Sequence, residues 1–290
     1  MLGSAVILAA SADGQGSDVA LFRPKCPVPP REQAWIEKML LWCVDRFGDR
    51  PLRRPVVEPT PDFFPGGYLG TQEDVLRTVD QVRAHLGIGA ERFTVEIAAD
   101  DELPGELEAM PLVPTRRAVV AGDYRQREGR GLVRIDPAQA GNRMRLIAVA
   151  AHELCHELLL GGGGVPGADG DDHEPLTDLV TVYTGFGVFT ANAAFHVETL
   201  AAGRRTSTLG YLTEAMFGYA LACHAWLRGE TGPEPAWTRF LDTNPHGYMR
   251  QGVRYLGSNS GRTLPHVLAG TPAPPGFSPP PERSARRTGH

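Results

Sequence analysis

The order of strand and helix patterns in this chain predicts an α+β fold, with a small mixed β-sheet followed by a mainly helical C-terminal half. Alternation of apolar and polar residues indicates strands only before residue 137. Apolar residues at helical spacing dominate after that point, so we expect only helices there. Of the 290 residues, 42% are hydrophobic and 22% are charged, which is typical of a globular domain with a sizeable core.

The first half of the chain predicts two helices and then a strand. Apolar residues recur at helical spacing over residues 31–47, and Gly48 ends the pattern. Thr71 can cap a second helix, because Asp74 stands in the reciprocal capping position. Residues 93–97 then alternate between apolar and polar side chains, which predicts a strand.

Further strands and helices are predicted downstream. The strand candidates are residues 118–121 and 131–136, and the helices are expected over 141–160, from about Pro175 to 190, over 212–228 and over 245–256. We expect the helices over 141–160 and 175–190 to pack against each other as the core of the domain.

Composition divides the chain into three parts. Residues 1–30 are expected to form an extended lead-in, since residues 11–30 are polar and then Pro-rich. Residues 31–268 are expected to form a single folded domain. Residues 269–290 form a Pro-rich tail that cannot bury enough apolar surface to fold.

Charge and cysteine usage indicate which partners and which cellular compartment to expect. The formal net charge is −5, which does not favour nucleic acid as a partner. No apolar stretch approaches the ~18–20 residues that a membrane-spanning helix needs. Residues 1–10 are apolar but are not accompanied by the basic residues of a secretory signal, since the first basic residue is Arg23. The four cysteines are widely spaced and form no CxxC pair, which favours a reducing compartment. We therefore expect a cytoplasmic protein. The sequence leaves the oligomeric state open.

Residues 152–156 have the sequence His-Glu-Leu-Cys-His, an HExxH motif. His152 and His156 are four residues apart on a predicted helix, so their imidazoles lie on one face and can bind the same zinc ion. Glu153 projects about 100° around the helix, where it can take a proton from a water molecule without binding the metal. The neighbouring residues are strongly apolar, and burying two histidines among them without a metal or other partners would be costly.

A catalytic zinc site needs a third protein ligand and keeps one further position open. The segment after the glycine-rich loop supplies Glu174, with Asp178 four residues later on the same face of a predicted helix. One carboxylate can bind the metal while the other accepts a hydrogen bond from an imidazole. The alternatives for the third ligand are His173 and the loop aspartates Asp169, Asp171 and Asp172.

The pattern HExxH followed by ExxxD on a second helix resembles the gluzincin, or thermolysin-like, metallopeptidases. The resemblance covers about residues 130–190 and implies a zincin-like fold. It also implies a set of roles: zinc ligands His152, His156 and Glu174, general base Glu153, and Asp178 as the residue that orients a ligand. Residues 132–135 are then expected to form the edge strand before the active-site helix, where an extended peptide can pair.

These expectations together predict a zinc-dependent metallopeptidase that acts on a peptide or protein substrate. The alternatives are a zinc-stabilised regulatory or binding module without turnover and a metal-free helical protein. Glu153 favours the enzyme, because a purely structural zinc site does not need a general base. Thermolysin-like enzymes stabilise the oxyanion with a Tyr or His donor, for which this chain offers Tyr183, His196, Tyr211, Tyr219 and His224.

Overall fold

The computed structural model describes residues 24–98, 122–127, 130–160, 173–194, 196–200, 203–207, 210–230, 232, 234–258 and 264–268. The predicted tail, most of the predicted lead-in and the strand candidate 118–121 lie outside these residues, as do Asp169, Asp171 and Asp172. The three-part division of the chain therefore stays a prediction.

The described residues contain a small sheet and mostly helices, in agreement with the predicted α+β class. The α-helices are α1 (Pro30–Phe47), α2 (Arg50–Arg53), α3 (Gln72–Leu86), α4 (Arg143–Leu160), α5 (His173–Tyr183), α6 (Gly187–Ala193), α7 (Glu214–Leu227) and α8 (Thr243–Ser258). Short 3₁₀ helices lie at Ala90–Arg92, Pro137–Gly141 and Ala236–Phe240. The helices predicted over 31–47, 141–160, 212–228 and 245–256 are thus confirmed to within a few residues.

The start of α3 shows how local sequence determines a helix end. The Thr71 hydroxyl accepts a hydrogen bond from the Asp74 backbone N–H, and the Asp74 carboxylate accepts one from the Thr71 N–H, which is a capping box. Gly87, in the left-handed conformation, ends the helix. Both ends agree with the sequence prediction.

The single helix predicted from Pro175 to residue 190 is wrong, because the chain forms two helices there, α5 and α6. Gly185 has φ of +95°, which an L side chain rarely adopts. Its N–H bonds to the carbonyl of Val182, and the N–H of Phe186 bonds to the carbonyl of Thr181. This pair of bonds is the Schellman motif, which ends α5 before the chain turns into α6.

The sheet has the strand order β1–β3–β2, where β1 is Phe93–Ile97, β2 is Gly122–Arg127 and β3 is Arg130–Ile135. Strand β1 runs parallel to β3, and β2 runs antiparallel to it. The sheet is therefore mixed, as predicted, and the strands predicted over 93–97 and 131–136 are confirmed.

Residues 132–135 form a strand before the active-site helix, but the prediction that this strand is an edge strand is wrong. These residues belong to β3, which pairs on both sides and so has no free edge along its paired residues. The edge strand in contact with α4 is β2. The sequence GDYRQR of β2 is mostly polar, which explains why apolar alternation did not reveal it.

The expectation of only helices after the HExxH motif is also wrong. Strands β4 (His196–Leu200) and β5 (Gly203–Ser207) form an antiparallel hairpin between α6 and α7. Neither strand carries the apolar alternation that identifies a half-buried strand. No helix within the described residues has the length and apolarity needed to cross a membrane.

Helix α4 lies at the centre of the domain, in contact with α3, α5, α6, β2 and β3. Leu146, Ile147 and Leu154 are buried, and each contributes roughly 2 kcal/mol of apolar burial. This packing places the HExxH residues between the sheet on one side and α5 on the other.

Candidate metal centre

Helices α4 and α5 bring three metal-ligating side chains together: His152, His156 and Glu174. The two imidazole Nε2 atoms are 3.2 Å apart. The Glu174 Oε2 atom lies 3.1 Å from Nε2 of His152 and 3.3 Å from Nε2 of His156. The three atoms therefore form a nearly equilateral triangle, although Glu174 is 18 residues beyond His156.

The size of this triangle fits a tetrahedral metal ion. Zinc binds nitrogen and oxygen ligands at about 2.0–2.2 Å, which places neighbouring ligand atoms of a tetrahedron roughly 3.4 Å apart. The observed separations are within a few tenths of an ångström of that value. Two imidazoles and one carboxylate are also a usual donor set for catalytic zinc.

Asp178 holds the ring of His152. Its Oδ1 atom lies 2.8 Å from His152 Nδ1, so this nitrogen acts as the donor and Nε2 faces the triangle. Its Oδ2 atom accepts hydrogen bonds from the backbone N–H groups of Tyr211 and Leu212. Asp178 is buried, and these three bonds satisfy its charge. The carboxylate thereby ties α4, α5 and the segment before α7 together.

Thr177 contacts the Nδ1 atom of His156, as Asp178 contacts the Nδ1 atom of His152. Its hydroxyl donates to the carbonyl of His173 at 2.9 Å, so it can accept a bond from His156 Nδ1, 3.2 Å away. Nδ1 of His156 is then the protonated nitrogen, and Nε2 is free to bind a metal. Sequence reasoning missed Thr177. The available signal was its position, three residues after Glu174 on the same helix turn.

The pKa values of all three candidate ligands are shifted. Burial opposes the charged form of His152, but the hydrogen bonds to Asp178 and Glu174 raise its pKa to about 10. Burial lowers the pKa of His156. Burial also opposes ionisation of Glu174, but its bonds to both imidazoles hold its pKa well below the usual range. A protonated His152 therefore offsets the negative charge of Glu174 when no metal is bound.

Glu153 lies beside the triangle without belonging to it. The side chain is buried against β2, where a Cβ on Gly122 would lie only 2.9 Å from Glu153 Oε1. Burial raises the pKa of Glu153 to about 7, opposed by the charge of His152 and reinforced by that of Glu174. A carboxylate with this pKa can accept a proton near neutral pH.

His173, the alternative third ligand, lies beside the His156 ring and outside the cluster. His173 stacks on the His156 ring, with ring centroids 4.9 Å apart, and its buried Nε2 atom has no hydrogen-bond partner. Within the described residues the ligating cluster contains Glu174 and not His173.

The candidates for an oxyanion donor differ in how exposed their side chains are. Tyr183 and Tyr219 are buried, with hydroxyls bonded to the Gly48 carbonyl and to Glu37, and His224 lies in the core. The side chain of His196 lies outside the described residues. Tyr211 is 56% exposed and its ring lies nearly parallel to that of His152, with centroids 6.3 Å apart. Among the described candidates, Tyr211 is the one that borders the metal centre.

No protein-family model, curated protein or solved structure matches this chain. The fold and the cluster of His152, His156 and Glu174 are therefore the findings from which a function can be argued.

Proposed function

We propose that this protein is a zinc-dependent hydrolase, and specifically a metallopeptidase of the gluzincin type. The observation that carries the proposal is the convergence of His152, His156 and Glu174 with a carboxylate, Glu153, beside them. A structural zinc site has no use for such a carboxylate, and closed sites more often use cysteine ligands.

In the proposed reaction, each residue of the metal centre has a separate role. His152, His156 and Glu174 would hold the metal, and Asp178 and Thr177 would keep the imidazole Nε2 atoms directed at it. Zinc held there would lower the pKa of a water molecule and polarise a substrate carbonyl. Glu153 accepts the proton of the attacking water and passes it to the leaving amine.

Solvent access supports turnover rather than a closed structural site. The Glu174 side chain is 37% exposed, and the half-exposed Tyr211 lies against the ring of His152. A substrate carbonyl can therefore approach the triangle from the side of Glu174. The Tyr211 hydroxyl is the donor we assign to the developing oxyanion.

A Glu153→Gln variant tests the proposal against the binding-module alternative. Elemental analysis of the purified full chain should find one zinc per molecule in both proteins, because Glu153 is not a ligand. Hydrolysis of a broad peptide library should fall by roughly 10²–10⁴-fold in the variant, since an amide cannot accept the proton. Glu96→Gln, which alters an exposed carboxylate on β1, serves as the matched control and should keep full activity.

Two results would contradict the proposal. One is a wild-type chain that binds no zinc. The other is stoichiometric zinc with a Glu153→Gln variant as active as wild type, or with no hydrolysis by either protein. The first result would favour the metal-free helical protein, and the second would favour the zinc-stabilised binding module.

A further inference from the structure

A second polar cluster lies next to the metal centre and is formed by Arg92, Tyr124 and Glu157. Glu157 follows the ligand His156 directly and is only 3% exposed. Its Oε1 atom accepts bonds from Nε and Nη2 of Arg92, at 2.8 and 2.6 Å. Its Oε2 atom accepts a bond from the Tyr124 hydroxyl at 2.5 Å. A buried carboxylate needs such partners, so this cluster holds three elements together.

Tyr124 connects this cluster to the metal centre. While its hydroxyl bonds to Glu157, its ring stacks on the imidazole of His156, with centroids 5.9 Å apart and ring planes 15° from parallel. The ring and the Thr177 hydroxyl thus restrict the same imidazole, one through its face and the other through Nδ1.

The strand that carries Tyr124 also forms the wall beside Glu153. Gly122 lies two residues before Tyr124 on β2, so both face α4. A Cβ at Gly122 would lie 2.8 Å from Cγ1 of Val149 and 2.9 Å from both Cγ and Oε1 of Glu153. The strand backbone therefore touches the side chain of the proposed base, and any shift of β2 changes the space that this carboxylate occupies.

We infer that Tyr124 is a positioning residue: through its hydroxyl bond to Glu157 it holds β2 against α4, and so sets both the ring of His156 and the place of Glu153. The effect on Glu153 rests on the proposed function. The effect on His156 concerns metal binding alone and can be tested without any hydrolysis.

Tyr124→Phe in the full chain tests the inference, with the metal added as cobalt(II), whose visible absorption reports ligand geometry. The variant should bind cobalt about tenfold more weakly, because substituting a residue that orients a metal ligand typically lowers metal affinity by at least this factor. The shape of its visible absorption spectrum should also change. On the peptide substrate, kcat should fall roughly 10–100-fold with KM changed less than about twofold. Tyr68→Phe is the matched control, because it removes a part-buried hydroxyl that bonds to the Ala140 carbonyl.

A second variant separates the two effects. Gly122→Ala should lower kcat, because its methyl group meets Glu153 and Val149, and should weaken cobalt binding less than Tyr124→Phe does, because it keeps the Tyr124 ring and its bond to Glu157. If circular dichroism shows that Tyr124→Phe does not fold, Glu157→Gln replaces it. This near-isosteric change weakens the same cluster and should also lower cobalt affinity.

The outcomes are distinguishable. If Tyr124→Phe keeps wild-type cobalt affinity and absorption and only lowers the melting temperature as Tyr68→Phe does, Tyr124 is an ordinary packing residue and the inference is overturned. If the wild type hydrolyses no peptide while Tyr124→Phe weakens cobalt binding, the proposed function fails and the positioning of His156 stands.

Discussion

Asp178→Asn should disturb the metal centre through a proton rather than through a lost ligand. In the native protein Oδ2 of Asp178 accepts two backbone N–H groups, those of Tyr211 and Leu212, and Oδ1 accepts the Nδ1–H of His152. An asparagine has one acceptor oxygen and one donor nitrogen. Keeping its oxygen on the two backbone donors satisfies more groups, and its NH₂ then faces His152.

The size of the effect follows from the tautomer. To avoid two opposed donors, Nδ1 of His152 must give up its proton and become the acceptor, so the neutral ring keeps its proton on Nε2, the atom that belongs to the ligand triangle. Metal binding must then work against that tautomer. We expect zinc affinity to fall by roughly 10–100-fold, as for other residues behind metal ligands. This corresponds to about 1.4–2.8 kcal/mol.

Competition with a chromophoric chelator measures this zinc affinity directly. Asp74→Asn is the matched control, because Asp74 is also buried and also accepts two backbone N–H groups, those of Leu69 and Thr71. It should lower the melting temperature, because it weakens the capping box and the ion pair with Arg77, and should leave zinc affinity unchanged. Wild-type zinc affinity in Asp178→Asn would refute the assignment of the His152 tautomer.

Two further predictions concern pH. Because the pKa of His152 is raised to about 10 without metal, zinc must displace a proton, so the apparent Kd should weaken about tenfold for each pH unit lowered between pH 8 and 6.5. Calorimetry in buffers of different ionisation enthalpy should find about one proton released, and release of none would contradict the prediction. Burial, reinforced by the charge of Arg228, lowers the pKa of His224 to about 3, well below its unfolded value of about 6.5. As pH falls, the unfolded chain therefore takes up a proton before the folded chain does. The free energy of unfolding of the wild type should fall by about 2 kcal/mol between pH 7 and 5, and that of His224→Leu should not show this loss. Urea unfolding curves of both proteins at the two pH values measure the difference.

The parts of the site that could be predicted are those encoded by neighbouring residues. His152 and His156 share a face because a helix repeats every 3.6 residues, whatever surrounds it. The same local geometry makes Asp178 face its helix partner Glu174. In α3, Thr71 and Asp74 bond to each other's backbone, so the helix start is also determined locally.

The parts that could not be predicted depend on contacts between distant segments. Strand β2 has too few apolar residues to show alternation, and only its pairing with β3 and its contact with α4 define it. The bonds from Arg92 and Tyr124 to Glu157 span 65 and 33 residues, and no local pattern indicates them. The end of α5 lay within reach of sequence reasoning, since Gly185 is a common helix terminator, but the apolar pattern continues past it.

The sequence by itself determined the helix that carries the HExxH residues, the strands β1 and β3, and a short set of candidates for the third ligand. Only the tertiary structure brought Glu174 within 3.3 Å of both imidazoles and left His173 stacked on one of them. The physical reason is the range of the interactions. Hydrogen bonds and side-chain spacing within about four residues determine a helix or a cap, whereas the approach of α5 to α4 depends on how both helices bury their apolar faces in a common core.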